Sequence, residues 1–116
     1  MTKTVFSKTV KISSIVASAK TTIGNSTHTD YITENDINQF APFTNALILN
    51  KSSTTDVTLK IIRCFLNSNS KRSFDVPANN GSAVVENELF ENIEIENLDS
   101  ANNTGAITVR VSKEVD

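Results

Sequence analysis

The side chains best equipped for chemistry gather late in the chain, where Glu86, Glu88, Glu91, Glu94, Glu96 and Asp99 fall in one stretch without a lysine or arginine. Paired carboxylates can hydrolyse a glycosidic bond, one as general acid and the other as nucleophile or base. That reaction also needs a cleft that grips a sugar, usually through aromatic platforms, and the chain offers no Trp and one tyrosine, Tyr31. Calcium would need an oxygen-rich loop, yet no D-x-[DN]-x-[DN]-G pattern occurs. Asp99-Ser100-Ala101-Asn102-Asn103 could form only a weak site of that kind. The stretch therefore reads as a solvated acidic strand face.

Other reactive types are isolated. His28 is the sole histidine, in the polar segment Ser26-Thr27-His28-Thr29-Asp30, and is expected to be a solvent-exposed loop residue. A catalytic imidazole needs a nucleophile and an orienting acid, and a zinc site needs several His or Cys ligands. Cys64 is the sole cysteine and lies in the apolar run Ile61-Ile62-Arg63-Cys64-Phe65-Leu66, which predicts a buried, inert thiol. The glycines at 24, 81 and 105 are turn residues and build no phosphate loop. No catalytic residue, cofactor or metal ligand is expected, and the chain reads as a protein that is not an enzyme.

Charge supplies a different chemistry. Lys3, Lys8, Lys11 and Lys20 occupy the first twenty residues, which hold no acid. Oppositely charged patches at the two ends of a chain can pair within one subunit or between copies, where they would give a head-to-tail contact. The ten residues Lys3, Lys8, Lys11, Lys20, Glu86, Glu88, Glu91, Glu94, Glu96 and Asp99 are thus the candidate assembly surfaces. Formal net charge is −2, which argues against a nucleic-acid partner of the basic-patch type. No run approaches the ~20 apolar residues that cross a membrane. The N-terminal lysines, Ile15-Val16 and Ala17-Ser18-Ala19 mimic a signal peptide, but Ser7, Thr9, Ser13 and Ser14 interrupt its apolar region, so that reading is rejected.

The elements that must carry these residues are strands. At 116 residues the chain has the length of one domain. Its uncharged polar residues are mostly Asn, Ser and Thr, which suit turns and pleated faces better than helices. Strand-like segments alternate with turn clusters, and no internal repeat or linker divides them. Residues 4–17 place Phe6, Val10, Ile12 and Val16 on one face, with Lys8 and Ser14 interrupting. Residues 23–33 are weaker, an edge strand or an ordered loop. Thr33 to Phe40 predicts a helical turn capped by Thr33 with Asp36 three residues on, Ile37 and Phe40 sharing a face, and Pro42 ending it. Residues 45–51 read as a buried strand, 57–67 and 73–77 as further strands, and Asn79-Asn80-Gly81 as a turn. Residues 82–86 and 90–98 follow, the latter with Ile93 and Ile95 inward. Last, 106–115 sets Ile107, Val109, Val111 and Val115 inward against Thr108, Arg110, Ser112 and Glu114. About seven or eight strands fit an all-β, antiparallel β-sandwich, jelly-roll or Ig-like.

Residues 45 to 113 also carry a resemblance. Ala46-Leu47-Ile48-Leu49-Asn50, then Ser52-Ser53 and Val57-Thr58-Leu59, resemble the strand, Asn-x-Ser turn and strand of small virion proteins of tailed bacteriophages. Phe74-Asp75-Val76-Pro77-Ala78-Asn79 is similar to their "f-x-V-P-A" edge, and Phe90-Glu91-Asn92-Ile93-Glu94-Ile95-Glu96-Asn97 to their penultimate strand. The resemblance implies a repeated subunit of a virion that decorates or cements a capsid, or sits in a neck, tail or fibre. Its partners would be a major capsid protein and further copies of itself, as a homo-oligomer. Residues 1–20 could then act as a strand or arm exchanged between subunits. The competing reading is a ligand-binding sandwich module for carbohydrate or a host surface. If the charged ends drive assembly, raising the ionic strength, or Lys8→Glu together with Lys11→Glu, should lower the oligomer mass seen by light scattering.

Overall fold

Alternation of Ile and Val with polar residues produces strands, and every pairing between them is antiparallel. The computed structural model describes residues 3–51, 57–62, 72–86, 89–97, 99–100 and 102–115, with residues 13, 57–62, 72–74 and 103–106 described by their backbone alone. Among them the elements are β1 (Lys3–Ile15), β2 (Lys20–Thr22), α1 (Glu34–Phe40), β3 (Asn45–Asn50), β4 (Val57–Ile62), β5 (Arg72–Val76), β6 (Gly81–Val85), β7 (Asn92–Asn97) and β8 (Asn103–Val115).

The pairings nest like a hairpin folded at β4–β5 and then rolled up: β1 with β8, β2 with β7, β3 with β6 and β4 with β5. Two further ladders, β3 with β8 and β4 with β7, close the roll into two sheets. The first sheet has the order β1-β8-β3-β6 and the second β2-β7-β4-β5. That is the strand order of a jelly roll, so the expected antiparallel sandwich is present in the first of its two forms.

Between the sheets lies a core of β-branched and aromatic side chains. Val10, Ile12, Ile48, Val109 and Val111 come from the first sheet and Ile93 and Ile95 from the second, joined by Ile23, Ile32, Phe43 and Phe90 from the connections. Each such side chain contributes roughly 1.5–3 kcal/mol by leaving water. β-Branched residues suit these positions because their restricted side chains pack on a pleat with little further loss of freedom. One end of the core is aromatic. Phe40 stacks on Phe6 at 4.6 Å between ring centroids, Phe6 meets Phe43 at 5.4 Å, and Phe43 meets Phe90 at 5.8 Å. Phe43 and Phe90 also exchange backbone hydrogen bonds of 2.8 and 3.0 Å, which ties the two sheets together there.

The opposite end of β3 and β7 is polar and buried. Asn97, the last residue of β7, donates its side-chain amide to the carbonyl of Ile15, the last residue of β1, at 3.0 Å. Asn50, the last residue of β3, donates in the same way to Val76, the last residue of β5, at 3.2 Å. Both side chains are fully buried. Each amide clips the point where the chain leaves one sheet for the other, since β1 and β5 are followed by strands of the opposite sheet. A carbonyl at such a corner has left its ladder and must find a donor elsewhere. Although the sequence shows no long repeat, the two clips belong to matching octapeptides. Phe43-Thr44-Asn45-Ala46-Leu47-Ile48-Leu49-Asn50 and Phe90-Glu91-Asn92-Ile93-Glu94-Ile95-Glu96-Asn97 share F-x-N-x-x-I-x-N. Phe, the residue after the first Asn, Ile and the last Asn are buried in both.

Several expectations shift. The register slip between Ile12 and Ser14 changes the phase of β1, so Ile15 is buried while Val16 is 56% exposed. Residues 23–33 form an ordered loop with one bridge to β1, and the short strand β2 lies just before them. The turn expected at 79–81 is present and carries the chain from one sheet to the other. Asn79 and Asn80 adopt φ of 61° and 68°, a region Asn tolerates. Gly81 is needed for space, because a Cβ there would lie 2.1 Å from the Pro77 carbonyl oxygen. The helical turn forms as expected, with Thr33 as N-cap and a complete capping box to Asp36. Cys64 lies outside the described residues. Replacing Asn50 or Asn97 by Ala should each cost roughly 2–4 kcal/mol by urea unfolding, because a buried carbonyl is left without its donor beside a new void. The exposed Asn35→Ala control on α1 should change stability little.

Candidate functional site

Strand alternation decides which side chains of the first sheet face out. In β8, Ile107, Val109 and Val111 point inward, which turns Arg110 outward and leaves Ser112 and Glu114 half-buried on the same side. In β3, Ala46 and Ile48 are buried and Leu47 is 44% exposed. In β6, Val85 is buried and Val84 is 55% exposed. Leu47 stands opposite both Arg110 and Val84 in the ladder, so Arg110, Leu47 and Val84 form one row across three strands. Asn45 stands opposite Ser112 in the next row.

Around this row lies a shallow depression of about 200 Å³ lined by Asn45, Leu47, Val84, Glu86, Arg110 and Glu114, among others. Its lining is apolar and polar in equal measure and carries both signs of charge. The side-chain oxygen of Asn45 is buried there without a hydrogen-bond partner. Arg110 donates through Nε to the Ser7 hydroxyl at 3.4 Å, a long and weak bond. This surface can hold an apolar group while offering acceptors on one side and a guanidinium on the other.

The residues singled out by charge are distributed over several surfaces. Lys3 is exposed at the start of β1, opposite Val115. Lys8 points toward the interior side of the first sheet and pairs with Asp36 of α1 at 2.9 Å. Lys11 is exposed on the outer face of the first sheet, while its backbone exchanges hydrogen bonds of 3.0 and 3.1 Å with Thr29. Lys20 stands directly opposite Glu96 in the β2–β7 ladder, where opposite charges attract across strands. Glu86 belongs to the outer depression of the first sheet. Glu94 and Glu96 lie on the outer face of the second sheet, because the chain changes sheets between β6 and β7. Glu91 is exposed beside the Phe43–Phe90 bridge. Asp99 follows β7 and donates its backbone N–H to the Asn97 side chain at 3.0 Å. Glu88 lies outside the described residues. The structure thus brings Lys20 to Glu96 within one subunit, and places Lys11 and Glu86 on one face. A Lys8→Glu change would also break the contact that holds α1.

His28 departs from its expected exposure. Only 6% of it is accessible, and its Nε2 lies 2.7 Å from the Thr21 hydroxyl oxygen. The segment folds back on itself to put it there. Asn25 accepts hydrogen bonds from the Thr27 backbone and hydroxyl, and its amide donates to the Thr21 hydroxyl. The Thr29–Lys11 bridge then fixes the segment to β1. The Nδ1 atom is buried without a partner, an arrangement that suits a bare acceptor and penalises a second N–H. Burial accordingly lowers the His28 pKa below its usual 6.5. Burial alone would raise the Asp36 pKa, but hydrogen bonds from Lys8 and Thr33 and the Lys8 charge outweigh it and hold the carboxyl below its ordinary 3.8.

The sequence pattern alone turns Arg110 and Glu114 outward without a role for them, and it places Leu47 in a buried strand. Apolar Leu47 and Leu49 between Ala46, Ile48 and Asn50 hide the alternation. Among the described residues no three His, Cys, Asp or Glu side chains lie close enough together to hold a metal ion. No known family and no curated protein matches the chain.

The two shifted groups predict a two-stage pH profile. Protons bind the unfolded chain more readily than folded His28, so stability is full above about 6.5 and falls as pH drops from there toward the lowered folded value, by at most ~1.4 kcal/mol per pH unit for one proton. Asp36 adds a second loss below its unfolded value of 3.8, where the charge facing Lys8 disappears. Urea unfolding across pH should show both limbs, and His28→Gln should flatten only the upper one.

Proposed function

We propose that this chain is a non-enzymatic structural subunit of a virus particle, a repeated component that decorates, cements or connects parts of a bacteriophage virion through protein–protein contacts. The observation that carries the reading is the jelly-roll strand order, β1-β8-β3-β6 over β2-β7-β4-β5, which capsid subunits use repeatedly. Lectin domains and cupins share that order, so fold alone does not choose among them. The resemblance of residues 45 to 113 to tailed-phage virion proteins supports the virion reading. Two of its stretches, Ala46–Asn50 and Phe90–Asn97, carry the buried asparagines that clip the roll, and Val76-Pro77-Ala78-Asn79 forms the corner after β5. The face of the first sheet also points the same way. Leu47 and Val84 are exposed there side by side, as contact surfaces require. In this reading the partners are a major capsid protein and other copies of the chain, and the location is the virion.

The alternative is a ligand-binding module for carbohydrate or a host surface, and the depression around Leu47 is the feature that favours it. One measurement separates the two. The native mass of the protein from its source, with any chains that copurify, should be that of an oligomer or of a megadalton particle. A lone monomer that retains glycans on an array would overturn the virion reading.

A further inference from the structure

We infer that the outer face of the first sheet binds the same face of a second copy of this chain. This deepens the homo-oligomer part of the proposed function by naming the surface, and it rests on that reading only for its biological setting.

The argument starts from the rows of that face. The ladder registers place Lys11 in the row of Thr108, Arg110 in the row of Leu47 and Val84, Glu86 beside the row of Ser112 and Asn45, and Glu114 beyond it. Along the strands, the face is therefore basic at one end and acidic at the other, with Leu47 and Val84 between. A face polarised in this way complements itself. A two-fold axis lying in the interface and running across the strands sets the basic half of one copy over the acidic half of the other. The same operation covers Leu47 and Val84, which are 44% and 55% exposed in the single chain.

Unused binding capacity supports this occupant over others. The Lys8–Asp36 ion pair lies elsewhere, and Arg110, Glu86 and Glu114 have no salt-bridge partner among the described residues. The depression also presents two carboxylates, those of Glu86 and Glu114, along one side. A guanidinium fits such a set, since it presents several N–H donors in a plane. Arg110 of the opposing copy supplies one, and its present bond to Ser7 is long and exposed. The contact is therefore reciprocal, with each copy inserting Arg110 into the other's acidic half. A contact of this size and charge is weak in isolation and gains strength through repetition in an assembly.

Analytical ultracentrifugation of the full chain, at rising concentration and in low and high salt, tests this. The expected result is a reversible dimer that loosens with salt. Arg110→Glu should weaken it on the order of 100-fold, with an unchanged thermal melt. Glu86→Arg with Glu114→Arg should do the same. Mixing the two variants should restore a dimer, now of one copy of each. A wild-type chain that stays monomeric, an oligomer indifferent to Arg110→Glu, or a mixture that fails to pair would each overturn the inference. An oligomer that survives Arg110→Glu would leave the virion reading standing, whereas a glycan-binding monomer would remove both.

Discussion

Every jelly roll must solve the same problem, a backbone that repeatedly crosses from one sheet to the other and leaves carbonyls at the crossings outside either ladder. This chain answers with two buried asparagines. Asn97 serves the exit of β1 and Asn50 the exit of β5, each from the end of a strand that borders the strand about to begin. An amide suits the place because it carries donors and an acceptor in one neutral group, so it can be buried without the cost of a charge. Asn97 uses both ends, donating to Ile15 and accepting from Asp99. The Phe43–Phe90 bridge fixes the other end of the same two strands. With β3 and β7 pinned at both ends, the register of the first sheet is set, and so are the rows on its outer face.

A second constraint acts beneath β1. Lys8 falls on the interior side of the strand while keeping 28% of its side-chain surface in water. The chain brings Asp36 to it on a helix of seven residues, too short to persist alone. Three weak devices sustain that helix: the Thr33 capping box, the ion pair, and the stack of Phe40 on Phe6. Asp36 takes part in two of them, so charge satisfaction and helix initiation depend on one carboxylate.

Much of the architecture was legible in local pattern. β8 alternates so regularly that its inward and outward sides follow from the letters, and the helix follows from Thr33, Asp36, Ile37 and Phe40. What escaped depends on long-range pairing. β2 is three residues long and has no pattern of its own, existing because β7 offers an edge. His28 sits in a polar segment that looks wet, and only the fold-back onto Thr21 and Lys11 buries it. Asn50 and Asn97 look like turn residues among many other asparagines. Their shared F-x-N-x-x-I-x-N setting was the available signal, but a period of two strands in eight is too faint to stand out without the sheets. The candidate site escaped for a related reason, since Leu47, Val84 and Arg110 are far apart in sequence and become neighbours only through the ladders.

The position of β8 has a consequence for how the protein comes into being. It is the second strand of the first sheet, between β1 and β3, and it is the last of the described strands. Until it emerges, β1 has no neighbour in its sheet and β3 has only β6. The first sheet therefore cannot close until β8 has followed every other described strand. Such distant pairings make for slow folding, because a large loop is ordered before its contacts form. During that interval β1 and β3 expose unpaired edges, and crowding of nascent chains favours pairing between molecules. Correct closure of the first sheet would thus depend on β8 arriving faster than a neighbouring chain does.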